Sequence, residues 1–213
     1  MIILTAALSI QDPRDRPQDK RQESERAHEE FRDDASDFVQ LMNLWKFFDE
    51  AFRHKESGRK LWQVCRDHFL SYVRMREWRD LAGQLREMAA DLKIRENPSA
   101  ATYEQVHRAL LTGLISNVGL KAQEGDHYNA PRGIPFAIWP GSGLKKNRPR
   151  WIMAGELQET TRVFARNVAR IEPEWIEAAA QHLVTRLHNE PHWDRTRGEV
   201  AAYETVSLYG LTI

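Results

Sequence analysis

The spacing of apolar residues changes near residue 115, and this change constrains the fold more than any other feature of the sequence. Before it, apolar residues recur every three or four positions, which predicts amphipathic helices. The runs are Phe38, Leu41, Met42, Trp45, Phe48 and Phe52; Trp78, Leu81, Leu85, Met88 and Leu92; and Tyr103, Val106, Leu110, Gly113 and Leu114. Ser36 or Asp37 and Ser71 are placed to cap the first two helices. Residues 1–115 are therefore predicted to form a helical bundle, in which residues 11–34 supply an extended, solvated connection followed by a polar helix.

After residue 116, glycine and proline become frequent and short apolar runs lie between them. Residues 135–139, 151–157 and 199–209 have the composition of strands. Residues 160–171 are ambiguous because arginines four apart fit one face of a helix or of a strand, but the alternating apolar residues favour a strand. A helix with an apolar stripe begins near Pro173 and is predicted to extend to Leu187. The fold class is therefore α+β: the bundle, then a small antiparallel β-barrel with one added helix over residues 116–213.

Positive and negative charges balance over the whole chain but not along it. The chain has 31 Lys and Arg against 31 Asp and Glu, which excludes a globally basic nucleic-acid binder. Residues 1–50 carry 7 basic and 12 acidic side chains, a balance of −5, whereas residues 141–170 carry 7 basic and 2 acidic ones, a balance of +5. A local basic surface is therefore predicted in the second half of the chain.

Other sequence features limit the classes of function. Cys65 is the only cysteine, so there is no disulfide framework and a cytoplasmic location is expected. The apolar opening MIILTAALSI has no basic leader and is too short to cross a bilayer, so no membrane partner is expected. Because this opening resembles the middle of an apolar helix, we expect a fragment of a longer protein. His182, His188 and His192 follow no closed zinc pattern, and no metal site or catalytic residue is expected.

Several long segments, taken in order, resemble the C-terminal accessory region of DEAH-box ATP-dependent RNA helicases. DPRDRP and EPHW…AYETVSLYGL resemble the bacterial HrpA-type members in particular. The segments are LSIQDPRDRP (8–17), DFVQLMNLW (37–45), FLSYVRMREWRDLAGQL (69–85), FAIWPGSGL (136–144), WIMAGELQETTRVFARNVARIEPEWI (151–176) and EPHWDRTRGEVAAYETVSLYGL (190–211). The resemblance implies that residues 1–115 end the helical ratchet domain and that residues 116–213 form an OB-fold and the start of a C-terminal extension.

The ATPase motifs of this family do not occur in the sequence. It contains neither a GxxxxGK[ST] loop for a triphosphate nor a DEAH carboxylate pair for Mg²⁺. The resemblance therefore implies that ATP and Mg²⁺ belong to RecA-like domains of a parent enzyme. This fragment itself is expected to hold no cofactor and to catalyse no hydrolysis.

The turn IWPGSGLKKNRPRW, residues 138–151, is the first candidate for RNA contact. An OB-fold binds single strands through a basic groove and through side chains on which bases stack. Ser142 offers a hydroxyl, and four cations on this turn can contact phosphates: Lys145, Lys146, Arg148 and Arg150. Trp139 and Trp151 flank the turn as either stacking or core residues. The alternative is an ordinary solvated loop.

Arg162 and Arg166 are further candidates on the neighbouring segment. The alternative for both is pairing with Glu156 and Glu159 across the sheet.

On the helical side, Arg74 and Arg76 lie just inside a helix start, in a segment that lines the RNA channel in the family. Their alternative is ordinary surface charge paired with Glu77 and Asp80.

The function predicted from these residues is an RNA-binding accessory module that guides single-stranded RNA while RecA-like domains of the same parent chain hydrolyse ATP. The alternative is a protein-interaction module on which a helicase activator or an acidic partner docks.

Overall fold

The computed structural model describes residues 1–54 and 57–213 and divides into two compact units, residues 1–102 and 103–213. The first unit contains the helices α1 Ile2–Leu8, α2 Arg21–His28, α3 Asp37–Arg53, α4 Gly58–Asp67 and α5 Tyr72–Asp91. The predicted caps are confirmed: the Ser36 hydroxyl accepts from the N–H groups of Phe38 and Val39, and the Ser71 hydroxyl accepts from Arg74. Within the described residues, no helix combines the length and apolarity needed to span a membrane.

Large aromatic side chains join the helices of the first unit. Trp78 of α5 is fully buried, and its Nε1 donates to the carbonyl of Ile3 in α1 at 2.9 Å. Its ring lies 5.2 Å from that of Trp45 in α3. The apolar spacing that predicted α3 and α5 therefore also marks the faces on which these helices pack.

The segment between α1 and α2 is more ordered than the predicted solvated connection. The Arg14 guanidinium, with 11% of its side chain exposed, donates to both carboxylate oxygens of Asp12 at 2.9 Å and to Gln40 of α3 at 3.1 Å. Arg74 of α5 donates to the Asp12 carbonyl at 3.0 Å. The expectation of a solvated connection was wrong at Asp12 and Arg14, because these residues bond each other and the helices α3 and α5.

The second unit is built on a closed five-stranded barrel. The helix α6 Tyr103–Leu114 precedes the strands β1 Val118–Lys121, β2 His127–Asn129, β3 Phe136–Ile138, β4 Trp151–Glu159 and β5 Val163–Arg170. The strand order is β1-β2-β3-β5-β4, with β4 returning to β1. Tyr128, Phe136, Ile138, Leu144 and Ile152 are among the side chains that fill the barrel.

The prediction of an antiparallel barrel was wrong at one pairing. Four pairings are antiparallel, but β3 pairs with β5 in parallel. A closed ring with an odd number of strands cannot alternate direction throughout, so at least one neighbouring pair must be parallel. Closure with five strands therefore dictates this exception.

The helix α7 Pro173–Ala179 is followed by a sheet of three strands, β6 Val184–Asp194, β7 Glu199–Leu208 and β8 Leu211–Thr212, in that order. The predicted extension of the helix to Leu187 was wrong. Leu187 lies in β6, is 55% exposed and pairs with Thr205 of β7. The backbone groups of this segment form hydrogen bonds with β7 instead of within a helix. The apolar stripe alone could not predict this pairing.

The contacts of α6 are with the barrel unit. Tyr103 donates to the carbonyl of Arg170 at 2.8 Å, and α6 packs against α7 and β4. The contact boundary therefore lies at residue 102, whereas the apolar spacing predicted a division at 115. Periodicity identifies a helix but not the neighbours on which it packs.

Candidate nucleic-acid interface

The residues that connect β3 to β4 form a loop, which we call the basic loop (residues 139–150), and it is fixed to the barrel at both ends. The Ser142 hydroxyl accepts from the Leu144 N–H at 3.2 Å and begins a short 3₁₀ helix, and Leu144 is buried in the barrel core. Near its far end, the Tyr128 hydroxyl donates to the carbonyl of Pro149 at 2.7 Å. Burial raises the pKa of Tyr128 to about 12, which keeps this donor protonated. The basic loop is therefore presented on a rigid base.

Two of the four predicted cations on this loop are free to bind a ligand. Lys146 and Arg150 are exposed, and neither forms an ion pair with any residue that the structure describes. Lys145 lies 3.6 Å from the carboxylate of Asp126, and Arg148 donates to the carbonyl of Gly125 at 2.9 Å. The loop between β1 and β2 thus engages half of the cluster.

Asp126 is the centre of this charged contact. Arg162, which follows β4, binds both of its carboxylate oxygens, at 3.0 and 3.1 Å. The hydrogen bonds from Arg162 lower the pKa of Asp126, and the positive charges of Arg162, Lys145 and Arg148 add to this effect, whereas desolvation of the carboxylate opposes it. Arg162 therefore pairs with Asp126, and not with the glutamates across the sheet.

Phe164 and Arg166 of β5, together with Arg162 just before it, are every second residue and lie on the outward side of the strand. The Arg162 guanidinium lies 4.8 Å from the centre of the Phe164 ring, and the Arg166 guanidinium lies 4.0 Å from the centre of the Trp139 ring. The Trp139 and Phe164 rings meet edge to face at 5.3 Å. Although Arg166 lies opposite Glu156 in the strand register, its guanidinium packs on Trp139. We call Trp139, Phe164, Arg162 and Arg166 the aromatic–arginine strip.

Trp139, the first residue of the basic loop, and Trp151, which follows its last residue, have different environments. Trp151 is 5% exposed and belongs to the core, whereas Trp139 is partly exposed at the surface. Of these two tryptophans, Trp139 is the one whose ring reaches the surface.

The two candidate arginines on the helical side lie in the first unit. Arg74 donates to the Asp12 carbonyl and pairs with Asp15 at 3.2 Å, so its charge is engaged within the DPRDRP segment. Arg76 is exposed, with its guanidinium 5.9 Å from the Tyr72 ring. Of the two, Arg76 has the more accessible charge.

Two residues of this surface were not predicted. Asp126 and Phe164 lie on separate loops and strands from the basic loop, and only the barrel brings them to it. Alternation of Phe164 with Arg162 and Arg166 was the available signal for the strip. Asp126, in the turn before β2, carried no comparable signal.

Charges and rings of this kind suit a flexible polyanion. Free cations contact phosphates without reading sequence, and aromatic faces accept bases of any identity. Of the two arginines in the strip, Arg162 is bound by Asp126, whereas Arg166, stacked on Trp139, forms no ion pair with any residue that the structure describes.

Comparison with known proteins connects this surface to one group of enzymes. The sequence model of the oligonucleotide/oligosaccharide-binding (OB)-fold family matches residues 106–183. The ATP-dependent RNA helicase HrpA of Escherichia coli K12 is 47% identical over 212 residues, which cover 100% of this chain and 16% of that protein. The HrpA homolog of Haemophilus influenzae is 45% identical over 214 residues, with the same coverage. A probable ATP-dependent RNA helicase, the DHX35 homolog of Caenorhabditis elegans, is 26% identical over 85% of this chain and 24% of its own length. The chain thus spans 16% of the length of the two bacterial relatives.

Proposed function

Because this chain belongs to the HrpA-type family of DEAH-box RNA helicases, in which it corresponds to the region that carries the OB-fold, we propose that its barrel guides single-stranded RNA. The strand lies along the basic loop and the aromatic–arginine strip. In this proposal the barrel holds RNA and other domains of the parent enzyme move it.

The observation that carries the proposal is the position of the strip beside free positive charge. Trp139 and Phe164 offer two rings at the barrel surface, each with an arginine over or beside it. Lys146 and Arg150 offer charges that no described residue neutralises. Rings that stack on bases and cations that track the backbone are the two components by which OB-folds bind single strands.

The role of the first unit follows from the same proposal. Within residues 1–115, which are predicted to end the ratchet domain, the first unit carries Arg76, which contacts the RNA with a smaller contribution from Arg74. RecA-like domains of the parent chain hydrolyse ATP with Mg²⁺, and the enzyme works in the cytoplasm. The alternative partner is a protein activator or an acidic protein that docks on this module.

Fluorescence anisotropy with labelled oligo-U at low salt tests the proposal. The double variant Lys146→Ala/Arg150→Ala removes the two free cations and should weaken binding. The slope of log K against log salt concentration should also become less negative by about 1.4, since each phosphate contact with a single strand contributes about −0.7 to it. Circular dichroism checks that the fold is retained.

The matched control is Arg95→Ala/Arg195→Ala, which removes two exposed arginines outside the basic loop and the strip. Its overall charge change is the same, so it should bind oligo-U nearly as the unmodified chain does. Equal weakening in both double variants would show that net charge, and not this surface, controls binding. Stronger competition by polyglutamate than by unlabelled oligo-U would favour an acidic protein partner instead.

A further inference from the structure

The carboxylate of Asp126 occupies the middle of the cationic cluster, where a bound phosphate could lie. It receives both N–H groups of the Arg162 fork and lies 3.6 Å from the Lys145 ammonium. Arg148 donates to the carbonyl of Gly125, the preceding residue. Three cations from two loops therefore converge on one short acidic turn between β1 and β2.

The chemistry of this contact is interchangeable with that of a phosphate. A planar guanidinium binds the two oxygens of a carboxylate and two oxygens of a phosphate through the same pair of parallel N–H bonds. A lysine ammonium adds a point charge to either anion. The cluster therefore has the donor set of a phosphate site, with a side chain of the protein in the place of the phosphate.

The contact is accessible and weak enough to exchange. The side chains of Arg162 and Asp126 are 48% and 47% exposed, and the Lys145 side chain is 32% exposed. Ion pairs at this level of exposure are screened by water and salt, so competing anions can displace them. Asp126 is carried by a turn that includes Gly125 at a φ of +82°, on the rim of the barrel and outside its core.

We propose that Asp126 is an internal substitute for a backbone phosphate of RNA, and that a bound strand displaces it from Arg162 and Lys145. This inference rests on the proposed function and adds to it a carboxylate that competes with RNA for the same cations. The carboxylate lowers affinity for any single phosphate and keeps the cations in place until a strand arrives. A strand that also stacks on Trp139 and Phe164 supplies enough contacts to open the pair.

The test compares Asp126→Asn with Glu124→Gln in oligo-U binding. Glu124 is exposed, lies two residues away, and pairs with no cation in the part of the chain that the structure describes. The substitution Glu124→Gln therefore removes the same charge without releasing Arg162. Asp126→Asn should bind about two- to fivefold more tightly at low salt, the gain expected from freeing an exposed pair. Glu124→Gln should change binding by less than half as much. Weaker binding by Asp126→Asn would overturn the inference, because it would mean that Asp126 orients the cations for RNA.

A double-mutant cycle identifies the cation that Asp126 covers. Arg162→Ala should cost more affinity in the Asp126→Asn background than in the unmodified chain, because only there is the guanidinium free before RNA binds. Equal costs in the two backgrounds would contradict the inference.

Inorganic tripolyphosphate separates this inference from the proposed function. Calorimetry should show tighter tripolyphosphate binding by Asp126→Asn than by either the unmodified chain or Glu124→Gln. If Asp126→Asn gains nothing over Glu124→Gln, the phosphate substitute is ruled out. If tripolyphosphate separates the variants but oligo-U binds none of them, the anion exchange stands and the proposed RNA function fails.

Discussion

At position 119, the barrel has no room for a side chain. A methyl group on Gly119 of β1 would lie 2.6 Å from the ring carbon Cζ of Phe136 and 3.0 Å from Cβ of Tyr128, and both residues are fully buried. Gly119→Ala must push one of these rings, so we expect it to lower the free energy of unfolding by about 1–3 kcal/mol, as overpacked cores do. Urea unfolding followed by circular dichroism measures this loss.

Gly113→Ala is the control for this substitution. Gly113 lies in α6 of the same unit, and a methyl group there meets nothing within 4 Å. Because alanine favours helix over glycine, this variant should be more stable by about 0.5–1 kcal/mol. Equal destabilisation by both substitutions would show that crowding is not the reason for the glycine at 119.

The Trp139 ring allows a second prediction at the scale of one residue. If a base stacks on it, Trp139→Ala should weaken oligo-U binding by about 1–3 kcal/mol, the usual contribution of one base–aromatic contact. Trp193→Ala is the control, since Trp193 of β6 is 60% exposed and lies outside the strip. Anisotropy should show a loss for Trp139→Ala alone. Unchanged binding, with a retained fold, would remove Trp139 from the RNA path.

At the scale of elements, the Asp12–Arg14 contact makes the first unit sensitive to acid. Burial of the Asp12 carboxyl opposes its ionisation, but the charge and hydrogen bonds of Arg14, aided by Arg16, outweigh this and lower its pKa from 3.8 to about 2. A group with a lowered pKa stabilises the fold fully above its unfolded value, and this contribution disappears as the pH falls. We expect the stabilisation of the fold by ionised Asp12 to be complete above about pH 4 and to be lost between about pH 4 and pH 2.

Asp12→Asn tests this linkage. The variant should be less stable than the unmodified chain at neutral pH, because Arg14 loses its carboxylate. Since asparagine does not titrate, the difference should shrink as the pH falls through the same range. Urea unfolding at a series of pH values measures it, with the exposed Asp19→Asn as the control. A difference that stays constant down to pH 2 would show that Asp12 acts only through its shape.

How much of each element could be predicted depends on the range of the interactions that form it. The caps at Ser36 and Ser71 and the strands on either side of the basic loop follow from local sequence, because capping and apolar patterning act over a few residues. The parallel pairing of β3 with β5 and the end of α7 at Ala179 depend on distant segments. Only closure of the barrel and the β6–β7 ladder determine them.

At the scale of the whole molecule, a chain with no net charge presents a locally basic surface because its positive and negative residues are segregated along the sequence. The excess of +5 over residues 141–170 follows from counting alone, and the basic loop could be predicted from it. Its partial neutralisation could not, because Asp126 approaches from a different loop. The rings could be predicted only in part: Trp139 was one of two candidate tryptophans, and Phe164 belongs to the strip because the fold places it beside Arg162.

The slope of log K against log salt concentration for oligo-U binding tests the central claim most directly. If the basic loop and the strip contact three or four phosphates, the slope should be about −2 to −3, at about −0.7 for each contact with a single strand. This is expected although the chain has no net charge. A slope near zero, or no binding at low salt, would contradict the claim that local positive charge on the barrel holds an RNA strand.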